Sequence, residues 1–144
     1  MADGGDRCNV PGWNSYDLID FVAWQPLPEQ FKDTPAHAHN RLLTSVVQSP
    51  DQRREVAREI CGKLAGATGP VVFFLPTRGG HEWDRPGGPL EDAAGLTTFC
   101  EEMRAACPAN VELVELDAHI NDVAFSNAVL VRFDDWVAAG VVRV

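Results

Sequence analysis

An unbroken apolar run in the middle of the chain is the strongest constraint on its fold. Residues 70–76 read Pro-Val-Val-Phe-Phe-Leu-Pro and lie between Gly69 and Thr77. A short run without polar alternation is typical of a central strand that is buried on both faces. The chain must therefore supply helices that cover both sides of the sheet containing this strand.

Further strand and helix patterns alternate along the chain. Strands are predicted at 18–24, 42–47 and 111–116, and helices at 50–65, from Asp92 to Pro108, and from Asn121 onward. Ser49 and Gln52 form a capping-box pattern at the start of the first helix. Alternation of this kind, at about 30-residue spacing, favours βαβ units and a mainly parallel sheet. The predicted fold class is α/β.

The composition fits one soluble domain better than a nucleic-acid-binding or membrane-spanning protein. The 144 residues include 21 acidic and 12 basic side chains, and the formal charge of −9 repels phosphate backbones. No segment has the ~18 apolar residues that a membrane span requires, and residues 1–6 lack a signal-peptide pattern. We expect a cytoplasmic protein with a flexible lead-in at 1–12 and a single α/β domain at 13–144.

The cysteines are predicted to be reduced thiols. Cys8, Cys61, Cys100 and Cys107 form no CxxC pair, and three of them lie among apolar residues of predicted helices. Cys100 and Cys107 are separated by about 10 Å along a helix axis, which is beyond the reach of a disulfide. We therefore expect the thiols to serve as small core side chains.

The loop at 77–89 is a candidate anion-binding segment. It contains Arg78, Gly79 and Gly80, and later Gly87 and Gly88. Glycines allow backbone N–H groups to approach a ligand, and arginines pair with phosphate or carboxylate groups. The segment matches neither GxGxxG nor the P-loop pattern, so spacing alone favours a simple Gly/Pro-rich connector, with anion binding as the alternative.

The segment after the predicted strand 111–116 carries Asp117, His119 and Asn121. One interpretation is structural, with Asn121 capping the next helix. The other is functional, because a carboxylate near an imidazole supports acid/base chemistry. We expect the loop imidazole to contribute little to stability and to face the same cavity as the glycine loop, since parallel strands end at one edge of a sheet.

The pattern His37-Ala38-His39-Asn40 places two imidazoles on one face of an extended segment. Together with His81, His119 and Asp117 these imidazoles would form a metal site. The nearby arginines and the lack of a second matching cluster favour loop-capping histidines instead. We therefore assign no metal ligands from the sequence.

The order of these motifs resembles a known family. The resemblance covers residues 13–139 and rests on Tyr-Asp-Leu-Ile-Asp-Phe at 16–21, His39-Asn40, the helix at 50–65, Pro-Gly-Gly-Pro at 86–89 and Asp-Ala-His-Ile-Asn-Asp at 117–122. The sequence is similar to the C-terminal part of the Tm-one-like ATP-binding family, which is named for a tomato mosaic virus resistance protein. The resemblance implies a Rossmann-like three-layer sandwich and carries over His39, Asn40, Gly79, Gly80, Gly87, Gly88, Asp117, His119 and Asn121 as candidate site residues.

The leading hypothesis is a nucleotide- or phosphate-binding module that forms the C-terminal part of a two-subdomain protein, with ATP and Mg²⁺ as candidate cofactors. The first alternative is a hydrolase or lyase for a small acidic metabolite, with His119 and Asp117 as the acid/base pair and Arg78 holding the carboxylate. The second alternative is a dimerisation domain. The expected partners are a second copy of the chain and the N-terminal subdomain of the family.

Overall fold

The computed structural model describes residues 16–142, which form a mixed α/β fold. Its strands are β1 (Leu18–Val22), β2 (Ala36–Ala38), β3 (Leu43–Val47), β4 (Val71–Pro76) and β5 (Val111–Leu116). Its helices are α1 (Pro50–Ala65), α2 (Ala93–Ala106) and α3 (Val123–Ala138), with short 3-10 helices at Glu29–Phe31 and Glu82–Asp84. The strands predicted at 71–76 and 111–116 and the helix predicted at 50–65 are confirmed.

The described strands form two sheets. β4 and β5 pair in parallel from Val71↔Val111 to Pro76↔Leu116. β1, β3 and β2 form a separate antiparallel sheet with β3 in the centre.

The prediction of one mainly parallel sheet is therefore wrong for the first half of the chain, and a Rossmann-like three-layer sandwich is not confirmed. A parallel pair needs a long crossover, usually a helix, and α2 provides one between β4 and β5. The connection from β1 to β3 contains no α-helix and instead supplies β2, which pairs with the other side of β3.

The side chains of β4 divide the core into two clusters. Phe73 and Leu75 pack with α1 and α2 on one face of the strand. Phe74 and Val72 pack against α3, where Phe125 is the buried contact. Burial on both faces explains why this segment is apolar throughout.

The capping box predicted for α1 is confirmed, whereas the N-cap predicted at Asn121 for α3 is wrong. Ser49 Oγ accepts from Gln52 N at 3.3 Å and Gln52 Oε1 accepts from Ser49 N at 2.9 Å, which completes the capping box of α1. Asp92 Oδ1 accepts from Gly95 N at 2.9 Å at the start of α2. Helix α3 is preceded by Asp122 rather than by Asn121 as its N-cap residue.

Cys61, Cys100 and Cys107 are free thiols, as expected. Burial raises the pKa of Cys100 to about 11, so this thiol stays protonated at neutral pH. Within residues 16–142, no helix is long and apolar enough to cross a membrane. Cys8 and the predicted lead-in at 1–12 lie outside the described residues.

Candidate functional site

The loops that follow β4 and β5 lie side by side at one edge of the parallel sheet. Thr77 N donates to Leu116 O at 2.9 Å, and Arg78 N donates to Ala118 O at 3.2 Å. The pairing continues beyond the strands, where Ile120 N donates to Gly79 O at 3.0 Å. These backbone contacts bring the glycine loop and the segment at 117–122 together.

A cavity of about 430 Å³ opens at this edge. Its cationic lining residues are Arg53, Arg78 and Arg85. Its carboxylates are more numerous and comprise Asp17, Asp84, Glu91, Asp92 and Asp122. His119 also lines the cavity, so both loops contribute to one concave site.

His119 is a buried, fully hydrogen-bonded side chain with only 2% of its surface exposed. Its Nδ1 accepts from Asn121 N at 3.1 Å. The proton therefore lies on Nε2, which is 2.9 Å from Asp84 Oδ1 and 3.0 Å from His81 O. The imidazole joins its own loop to the loop after β4.

Asp84 is the acidic partner of His119. Besides the contact with His119, it accepts from Gly80 N through Oδ2 at 2.6 Å. Asp117, the partner expected from the sequence, pairs with Arg78 instead. The sequence indicated Asp84 only as one charge in a charged loop, because its contacts depend on how the two loops fold together.

Asp117 instead forms a bidentate ion pair with Arg78 at the mouth of the cavity. Arg78 Nε and Nη2 donate to the two carboxylate oxygens at 2.5 and 2.7 Å. The hydrogen bond from Arg78, and then its positive charge, lower the pKa of Asp117 and keep the carboxylate ionised. Both side chains are largely exposed to solvent.

A buried arginine was missed by the sequence analysis. Arg53 lies on α1, where a charged residue is ordinarily expected at the surface, yet its side chain is almost fully enclosed. Its Nη2 donates to Asp92 Oδ2 at 2.9 Å, and its Nη1 lies 3.5 Å from Asp17 Oδ2. Carboxylates from two other segments thus hold the guanidinium inside the fold, as a buried charge requires.

Packing explains three of the four glycines in the loop after β4. A Cβ atom at Gly79, where φ is +126°, would lie 2.7 Å from His119 Cδ2, and one at Gly80 would lie 1.9 Å from the Tyr16 hydroxyl. A Cβ at Gly88 would meet Trp83 O at 2.3 Å. Gly87 has φ +81° with open space around it, and its N–H donates to Glu91 Oε2 at 2.6 Å.

The other predicted site residues lie at the surface. Asn40 Oδ1 accepts from Leu42 N and Leu43 N at 2.7 and 3.0 Å, which shapes the turn before β3. The His39 ring meets Trp83 edge-on with centroids 4.5 Å apart, so this turn touches the loop after β4.

Asn121 belongs to a surface network that extends to the cavity. Its Nδ2 donates to Glu82 Oε2 at 2.9 Å. Arg85 bridges Glu82 and Asp122 through contacts of 3.3 and 3.4 Å. The hydrogen bonds from Asn121 and Arg85 lower the pKa of Glu82.

These features define an α/β domain with a polar cavity at the carboxyl ends of two parallel strands. The sequence model described as the C-terminal domain of the uncharacterised protein family UPF0261 matches residues 9–137. The chain belongs to the UPF0261 family and corresponds to its C-terminal domain.

The relatives that match this chain are considerably longer than the chain itself. A UPF0261 protein of Brucella melitensis is 51% identical over 133 residues, which cover 92% of this chain and 31% of the relative. A UPF0261 protein of Brucella suis is 46% identical over 97% of this chain and 34% of its own length. The chain therefore spans about a third of these relatives.

The tomato relationship inferred from the motifs is present at lower identity. The ToMV resistance protein Tm-1 of Solanum lycopersicum is 26% identical over 119 residues, which cover 81% of this chain and 16% of that protein. The resemblance is thus confirmed at the level of the family. None of these names refers to ATP binding.

Proposed function

We propose that this domain is a nucleotide- or phosphate-binding module whose anionic ligand occupies the cavity at the ends of β4 and β5. The observation that carries the proposal is that Arg78 and Arg85, which line the cavity, form ion pairs with surface carboxylates. Both arginines are held by carboxylates at the surface rather than by buried partners. Both are therefore available to exchange a carboxylate for a phosphate.

The exchange costs little because exposed ion pairs contribute little to stability. Arg85 contacts Asp122 only at 3.4 Å, which is long for a charge-assisted bond. The guanidinium of Arg78 already binds a planar carboxylate through two nitrogens, and the same arrangement suits two phosphate oxygens.

The carboxylates that line the cavity limit its affinity for an anionic ligand. They outnumber the arginines, so a polyphosphate entering alone would meet a net negative lining. We expect ATP to bind this chain weakly, and more tightly when the remaining two-thirds of a longer relative complete the cleft. Mg²⁺ would accompany ATP as its counter-ion.

The experiment is calorimetric titration of the chain with inorganic phosphate and with ATP, compared with Arg78→Ala, Arg85→Ala and a control, Arg54→Ala. Arg54 is an exposed arginine of α1 that does not line the cavity. Loss of either cavity arginine should raise the Kd for phosphate by about tenfold. The control should bind like the unmodified chain.

Two results would contradict the proposal. The first is the absence of phosphate binding in the folded chain, and the second is an equal loss of affinity in all three variants. The hydrolase or lyase alternative has less support, because His119 donates to Asp84 and Asp117 is held by Arg78.

A further inference from the structure

Three side chains at the cavity lie close together without forming hydrogen bonds to one another. Asp17, His81 and Asp84 each offer a ligand atom, and these atoms lie within 4.8 Å of one another. His81 Nε2 is 3.3 Å from Asp17 Oδ2 and 4.0 Å from Asp84 Oδ2. The side chains of His81, Asp17 and Asp84 are 1%, 3% and 8% exposed, respectively.

Three polar atoms of this cluster lack a hydrogen-bond partner among the described residues. Among the atoms of residues 16–142, neither ring nitrogen of His81 has a hydrogen-bond partner, and Asp17 Oδ1 has none either. The nearby Tyr16 hydroxyl is also unpartnered. Buried polar atoms of native proteins almost always have a hydrogen-bond partner, because an unpaired atom has lost its water without a replacement. Several such atoms in one place indicate a missing partner.

We propose that Asp17, His81 and Asp84 bind a divalent transition-metal ion of the Zn²⁺ or Mn²⁺ class. One imidazole and two carboxylates form a donor set that these ions accept, whereas Mg²⁺ prefers oxygen ligands alone. Three protein ligands leave further coordination positions for water or a ligand. This site differs from the one considered in the sequence analysis, which combined His37 and His39 with His81, His119 and Asp117.

Neighbouring residues hold the carboxylate of Asp84 in a ligating orientation. His119 Nε2 is bonded to Oδ1 at 2.9 Å, and Gly80 N donates to Oδ2 at 2.6 Å. Hydrogen bonds from a surrounding layer fix and tune the ligands of many metal sites. In this arrangement His119 acts as a positioning residue for the metal ligand.

The local charge balance also favours a dication. Among the described residues, Arg53 is the one arginine or lysine that pairs with Asp17 and Asp92, and none pairs with Asp84. The three carboxylates and Arg53 together carry two uncompensated negative charges, which a divalent ion would offset. Asp17 and Asp84 also line the cavity, so the open coordination positions would face the space in which the anionic ligand is proposed to bind.

The metal is tested alone, independently of any phosphate ligand. The full chain is stripped with a chelator, dialysed and titrated calorimetrically with Zn²⁺, Mn²⁺ and Mg²⁺, while Co²⁺ provides a visible absorption spectrum that reports coordination. We expect one Zn²⁺ or Mn²⁺ per chain, a weaker response to Mg²⁺, and a rise in Tm that grows with metal concentration.

Variants identify the ligands. His81→Gln and Asp17→Asn should each weaken Zn²⁺ binding by at least about tenfold and abolish the Co²⁺ spectrum. The double variant His37→Ala, His39→Ala should bind like the unmodified chain. Circular dichroism establishes that each variant is folded, and Asp84→Asn provides a third ligand variant if one of the first two does not fold.

Two outcomes would overturn the proposal. In one, the folded chain binds none of the transition-metal ions at neutral pH. In the other, metal binding survives in the folded variants His81→Gln and Asp17→Asn, which would place the site elsewhere.

Discussion

Replacing His119 would remove three hydrogen bonds from one buried position. Asp84 Oδ1, His81 O and Asn121 N would each lose their contact with the ring. We expect His119→Ala to lower the free energy of unfolding by about 2–4 kcal/mol, because buried polar atoms left unpaired are costly. Urea denaturation at neutral pH measures the change.

Asp117→Ala is the matched control for His119→Ala, since both residues lie in the segment after β5. The Asp117 carboxylate is exposed, so its removal should leave the free energy of unfolding nearly unchanged. An equal effect in both variants would contradict the buried role of His119. The sequence-based expectation of little effect rested on an exposed ring, whereas the second loop covers the ring of His119 and leaves it 2% exposed.

At the scale of elements, β4 is the strand on which both core clusters depend. Phe73 is buried against the helices of one face. Phe73→Ala should lower the free energy of unfolding by about 3–5 kcal/mol, since it removes a large apolar side chain and leaves a cavity. Leu42→Ala, at a position that is 62% exposed before β3, should change it by less than about 0.5 kcal/mol. Comparable losses in the two variants would contradict this description of the core.

The same elements show what could be predicted from the sequence. β4 and α1 were predictable because their signals are local, namely an apolar run and a capping box with Pro50 at the first helical turn. The antiparallel pairing of β1 with β3 could not be predicted. The direction of these strands depends on the segment that connects them and on β2 within it, a strand of only three residues.

The position of the candidate site could be predicted from the sequence, but the hydrogen-bond and ion-pair partners within the site could not. The rule that parallel strands end at one edge brought the loops of Gly80 and His119 together correctly. The partners Asp84 and Arg53 depend on contacts between segments that are distant in sequence. A charged residue in a helical pattern is usually on the surface, and only tertiary contacts distinguish Arg53 from that majority.

At the scale of the whole molecule, α3 presents an uncovered apolar surface. Val123, Leu130 and Val131 are 72%, 57% and 61% exposed. A helix covers its apolar stripe against another element, and among the described residues no element covers this one. In the longer relatives, we propose that another part of the protein covers it. In this chain alone, a second copy is the simplest cover.

We therefore predict that the chain forms a dimer through the α3 surface defined by Val123, Leu130 and Val131. Light scattering across micromolar concentrations should give about twice the chain mass of 15.7 kDa. Val131→Glu should shift the protein to a monomer, because it places a charge in the apolar contact. Thr97→Glu, at an exposed position on α2, should leave the dimer intact. A monomer at all concentrations would contradict the prediction. A dimer that survives Val131→Glu would place the interface on another surface, such as an edge of the β4-β5 sheet that no described strand covers.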